Sequence, residues 1–100
     1  LVLNQNECFH SLRDTQIYHE YPFIVQCENN VLQGYIDYLS IGEEIVLIDF
    51  KSDYVQNDEI LIQRYSSQIE SYKKALNILF ENKNIKAYIY SFHLSKMIEL

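Results

Sequence analysis

The segment that most restricts this chain is Ile45–Lys51, IVLIDFK, a nearly unbroken apolar run that ends in an acid and a base. Runs of this kind belong to strands covered on both faces, so a sheet carrying helices on its faces is expected. The run is too apolar for an edge strand, which makes its aspartate the anomaly. A carboxylate inside a buried strand needs a partner or a purpose. Asp49 and Lys51 are two residues apart and therefore point to the same side of the strand.

The preceding residues supply a partner strand. Glu20–Glu28 (EYPFIVQCE) is rich in β-formers, Asn29-Asn30 tolerates the positive φ of a tight turn, and Val31–Ile41 returns as the hairpin partner. A second hairpin closes through Gly42–Glu44. If Ile41 sits opposite Ile45, antiparallel register sets Leu39 against Leu47, Asp37 against Asp49 and Tyr35 against Lys51, all on one face. Two acids across a ladder repel each other unless a cation lies between them. Oxygen ligands with no thiolate, and no histidine close in sequence, favour Mg²⁺ or Mn²⁺. Lys51 would then act on the attacking water or on charge building at phosphorus, which is the equipment of phosphodiester hydrolysis.

After the polar stretch 52–58 the apolar period changes. Tyr65, Ile69, Tyr72, Leu76 and Leu79 recur at steps of four and three, predicting an amphipathic helix over 58–82 capped by Asn57 or Asp58. Ala87–Leu94 alternates aromatic and aliphatic side chains and reads as a strand packed beside the hairpin. Residues 1–19 are mixed, a short helix or an irregular lead-in. The expected order is β-β-β-α-β.

At 100 residues, 48% of them hydrophobic, the chain (1–100) is expected to form one domain. No apolar run is long enough to span a bilayer. Cys8 and Cys27 form neither a CxxC pair nor a disulfide framework, which fits reduced thiols in the cytoplasm. The net charge of −6 argues against a free-standing nucleic-acid binder, although bound divalent cations offset local carboxylates and other domains can supply a basic track. With Gly34 and Gly42 the only glycines, no phosphate-binding loop can be written, so ATPase or helicase activity would have to reside in another part of a parent chain.

Asp-x-Lys alone is weak, since about one chain in three of this length would contain it by chance. Its company adds specificity. Gly34-Tyr-Ile-Asp37, then Asp49-Phe-Lys51-Ser-Asp53, then Gln68-Ile-Glu-Ser-Tyr72 resemble, in order, the G-x-x-D, D-x-K and Q-x-x-x-Y signatures of RecB-type nucleases in the PD-(D/E)XK superfamily. Glu20-Tyr-Pro22-Phe23 is similar to the E-x-P-F strand that precedes this hairpin in the C-terminal nuclease domain of AddA-type helicase-nucleases.

The resemblance covers roughly 9–94. It implies a restriction-endonuclease-like α/β core, a mixed sheet with a central antiparallel hairpin flanked by helices, cut from the C-terminal part of a larger helicase-nuclease. It implies Mg²⁺ (or Mn²⁺) held by Asp37, Asp49 and the Phe50 carbonyl, Lys51 and Glu20 as further catalytic residues, and Gln68 and Tyr72 at the DNA. The implied partners are DNA and a second, AddB-like protein, and the implied process is repair of double-strand breaks. A histidine on an upstream helix completes the metal shell in many of these nucleases, and neither His10 nor His19 has that helical setting. The alternative is therefore a catalytically incomplete DNA- or protein-binding module of the same fold. The iron–sulfur branch of the superfamily needs four cysteines, and this chain has two.

Overall fold

The computed structural model describes residues 15–100. They form five strands and one helix in the order β1 (Gln16–Cys27), β2 (Asn30–Ile41), β3 (Glu44–Lys51), α1 (Asp58–Leu79), β4 (Asn84–Ser91) and β5 (Lys96–Glu99). All five strands join one sheet in sequence order, β1-β2-β3-β4-β5. The pairings are antiparallel except β3 with β4, which run parallel. The parallel step requires a crossover, and α1 provides it, lying on one face of the sheet.

Each element has a local cause. Asn57 caps α1 as expected, its Oδ1 accepting from the Ile60 N–H at 3.2 Å, and Asp58 and Glu59 place negative charge on the first turn. The helix ends at Leu79, three residues earlier than its periodicity suggests. The cap residue Phe80 leaves helical backbone (φ −133°, ψ 80°) while its side chain packs against the core, and Asn82 takes a left-handed φ of 67°. The buried stripe is Leu61, Ile69, Tyr72, Ala75 and Leu76. It packs on Leu39, Ile45, Leu47, Ala87 and Ile89, each buried side chain of Leu or Ile size contributing about 1.5–3 kcal/mol.

The second hairpin closes with Ile41 opposite Ile45 and Leu39 opposite Leu47, the expected register. Several other expectations are corrected. β1 starts at Gln16, so 16–19 are strand and not lead-in. The residues before Thr15, Cys8 and His10 among them, lie outside the described residues. The first turn is Glu28-Asn29, with the positive φ (58°) on Glu28 and Asn30 already paired to Cys27. The last predicted strand is shifted to 84–91, and a further strand, β5, follows it.

Helical cover on both faces is not found among the described residues. The face away from α1 carries Phe50 at 41% and Phe92 at 57% exposure. Cys27 is a free, half-buried thiol. No helix of the described residues is long and apolar enough to cross a membrane.

The alternation of β2 breaks near the site. Ile36 and Leu39 are both fully buried although they are three residues apart, so one residue between them departs from the pleat. Register is the same on either side, His19 with Tyr38 and Tyr21 with Ile36, so β1 must break at the same level. It does so at Glu20, whose φ is 51°.

Candidate active site

The site forms where β2 and β3 part. Their last ladder pair is Tyr38 with Ile48. One step further, Asp37 and Asp49 stand across from each other, and the side chain of Asp37 takes over the ladder: its Oδ2 accepts from the Phe50 N–H at 2.9 Å. In a strand the N–H and C=O of one residue point the same way, and the Lys51 carbonyl accepts from the Phe92 N–H on the β4 side. The Phe50 carbonyl is thus directed toward β2, on the side of Asp37.

Asp49 is buried, 3% exposed, on the helix-facing side of β3. Its Oδ2 lies 2.8 Å from Lys51 Nζ but has no aligned hydrogen-bond donor among the described residues. Burial pushes its carboxyl above the usual aspartate range, Lys51 opposes that rise, and the negative charge of Asp37 adds to it. A buried carboxylate short of donors beside a second carboxylate matches the chemistry of a hard divalent cation, and the Phe50 carbonyl would be a third oxygen. The fit rests on those oxygens alone: among the described residues no group of three His, Cys, Asp or Glu side chains converges on one point.

Lys51 is half-buried and lies over the Tyr65 ring, 4.0 Å from its centroid. Tyr35 does not face it, contrary to the sequence expectation. The break between Ile36 and Leu39 turns Tyr35 to the opposite face, where it is 66% exposed.

Gln68 and Tyr72 share the face of α1 that looks onto this site. The Tyr72 ring packs edge-on against Phe23, with centroids 5.4 Å apart. Burial raises the Tyr72 hydroxyl above the usual tyrosine range, Asp49 and Asp37 raise it further, and Gln68 opposes them. The ring rests on Gly34, where an added Cβ would lie 3.4 Å from both Phe23 Cζ and Tyr72 Cε1. A methyl group just fits there, and anything larger displaces the rings.

Glu20 sits on β1 at the level of Asp37 and is exposed. His19 is in a strand, its ring edge-on to Tyr38, and not on a helix.

Sequence reasoning missed one cluster. Asp53 Oδ2 accepts from the Tyr65 hydroxyl at 2.7 Å and from Arg64 Nη1 at 2.8 Å. The Tyr65 hydroxyl and then the Arg64 guanidinium hold the Asp53 carboxyl below its usual range. A signal existed: Tyr65 is three residues before Gln68 and seven before Tyr72, hence on their helix face.

No protein-family model matches the chain. Curated proteins do. The chain is 38% identical over 93 residues to the AddA-type ATP-dependent helicase/nuclease protein of Clostridium acetobutylicum, covering 89% of this chain and 7% of that protein. It is 37% identical over 97 residues to the Clostridium novyi protein of the same name, covering 92% and 8%. For that of Syntrophomonas wolfei the identity is 36% over 83 residues, covering 80% and 7%. The chain thus spans less than a tenth of the length of these relatives. Over that span it is homologous to ATP-dependent helicase/nuclease proteins of the AddA type.

Proposed function

We propose that this chain is the core of a metal-dependent DNA nuclease of the PD-(D/E)XK, RecB-like kind, with a restriction-endonuclease-like fold. The observation that carries this reading is the meeting of Asp37, Asp49, the Phe50 carbonyl and Lys51 where β2 and β3 part, beneath Gln68 and Tyr72 of α1. The resemblance to helicase/nuclease proteins supports the same reaction.

A Mg²⁺ or Mn²⁺ ion bound there would supply an acidified water and offset phosphate charge. Asp37, Asp49 and the Phe50 carbonyl would hold it. Lys51 places a cation beside the reacting phosphate, where it stabilises charge as the P–O bond to the leaving oxygen breaks and that to the attacking oxygen forms. Gln68 and Tyr72 line the side on which the DNA strand would lie. Glu20, exposed on the next strand at the level of Asp37 and outside the converging group, enters this reading as a catalytic carboxylate through the resemblance alone. In the parent protein the activity would belong to an ATP-dependent helicase-nuclease acting on double-strand breaks with an AddB-like second protein, its motor outside this chain.

The absence of a third convergent carboxylate or histidine among the described residues favours one second reading, a module that binds DNA or protein without cutting. One assay separates the two: incubation of linear single- and double-stranded DNA with Mg²⁺ and the wild-type chain, Asp49→Ala or Lys51→Ala. The nuclease reading expects wild-type cleavage and a loss of about 10²-fold or more in each variant. DNA binding without cleavage in the wild type would assign the module instead.

A further inference from the structure

The nuclease reading needs Lys51 in one place, and lysine is poorly suited to staying there. Its ammonium is a point charge on a flexible four-carbon stem, while a reacting group out of place by about 1 Å can cost on the order of 10²-fold in rate. Two neighbours hold it here, Asp49 at 2.8 Å and the face of Tyr65 at 4.0 Å. Asp49 is the weaker restraint in that reading, because a carboxylate that also binds a cation shares its charge. The ring has no such competing duty. It attracts the ammonium through its π-face and uses none of the three N–H donors, leaving them for a phosphate oxygen or water.

The ring is itself anchored. Its hydroxyl donates to Asp53 Oδ2 at 2.7 Å, and Arg64 Nη1 donates to the same oxygen at 2.8 Å. Asp53 lies on the segment leaving β3, two residues after Lys51, whereas Arg64 and Tyr65 lie on α1. The carboxylate therefore ties the helix to the end of the strand that carries the lysine, and the ring spans the same junction.

We infer that Tyr65, anchored through Asp53 and Arg64, is a positioning residue that holds the Lys51 ammonium in place; its bearing on catalysis rests on the nuclease reading above. Tyr65 takes no part in bond making. Its ring sets where the lysine stands, and its hydroxyl adds a tie from that ring to Asp53.

The test uses Tyr65→Leu, which keeps apolar bulk without a π-face, and Tyr65→Phe, which keeps the ring without the hydroxyl. Two readouts are taken on each. The first is the ¹H–¹³C NMR position of the Lys51 ε-methylene, which a ring face shifts upfield whether or not the chain cuts DNA. The second is cleavage in Mg²⁺, resolved into kcat and KM, with Mn²⁺ affinity from calorimetry. Tyr65→Leu is expected to lose the upfield shift and about tenfold or more in kcat, with KM and Mn²⁺ affinity within about twofold of wild type. Tyr65→Phe is expected to keep the shift and to recover most of kcat.

An unshifted Lys51 methylene in the wild type, a shift that survives Tyr65→Leu, or equal kcat losses in Leu and Phe would overturn the inference. A wild type that cuts no DNA yet shows the Lys51 shift, lost in Leu and kept in Phe, would leave Tyr65 holding Lys51 and remove the nuclease reading instead.

Discussion

Two aspartates four residues apart, Asp49 and Asp53, are treated in opposite ways by the fold. Asp49 is 3% exposed, and its Oδ2 has no aligned donor among the described residues. Asp53 is half-buried, and its Oδ2 takes two donors, from Tyr65 and Arg64. The carboxyl of Asp49 is accordingly raised, chiefly by burial, and that of Asp53 lowered, chiefly by the Tyr65 hydroxyl.

The signs have opposite consequences for stability. A raised carboxyl contributes stability that is fully present below its unfolded pKa and is lost as pH rises through the folded value, so wherever Asp49 is ionised its buried charge works against folding. A lowered carboxyl contributes stability above the unfolded pKa, lost as pH falls through the folded value, so Asp53 supports the fold throughout the neutral range. A carboxylate used as a brace has its donors built in; one left short has room for a ligand from outside.

The largest effect expected from this contrast comes from exchanging each acid for its amide. Asp49→Asn should reduce cleavage by on the order of 10²–10³-fold and raise the melting temperature at neutral pH, because a neutral side chain suits a buried site poor in donors. Asp53→Asn should cost no more than about threefold in cleavage, since the Tyr65 ring that holds Lys51 stays in place, and should lower the melting temperature through its weakened bonds to Tyr65 and Arg64. Scanning calorimetry beside a cleavage assay checks both, and melting shifts of the same sign would break the comparison.

A middle-sized effect tests how the helix side of the site is seated. Gly34→Val should cost roughly 1–3 kcal/mol in urea unfolding and displace the Tyr72 ring, since only a methyl group fits at 3.4 Å. Gly34→Ala should be close to neutral; a loss as large as that of valine would mean that the rings cannot yield at all.

The smallest effect concerns strain beside the site. Glu20 holds a φ of 51°, which costs a residue with a side chain roughly 1 kcal/mol or more. Glu20→Gly should raise stability by up to about 1 kcal/mol and lower cleavage, the pattern of a residue kept in strained backbone for its carboxylate. A destabilised variant would show that the left-handed turn is not strained.

The legible and the hidden parts of this chain differ for physical reasons. The pairing of Ile41 with Ile45 is legible because a loop of fixed length between apolar runs leaves one register that buries Leu39 and Leu47 together. Asn57 is legible as a cap because its chemistry is local. The first residues of β1, Gln16–Glu20, are all exposed, so no alternation marks them as strand. β5 has four residues and buries only Ile98, too little for a periodic signal.

Simple alternation puts Tyr35 on the wrong face because the paired break at Glu20 and between Ile36 and Leu39 reverses the pattern. Helical spacing places Tyr65 on the face of Gln68 and Tyr72, but its contact with Asp53 joins α1 to the segment after β3, and no spacing rule within a single element reports that partner. The aspartates and lysine of the candidate site are the easy part, since polar residues in an apolar strand stand out.

The most direct test of the central claim is calorimetric titration of the chain with Mn²⁺, wild type beside Asp37→Asn and Asp49→Asn. The account predicts saturable binding by the wild type that is lost or strongly weakened in both variants. Absence of binding to the wild type at millimolar Mn²⁺, or equal binding by all three, would contradict it.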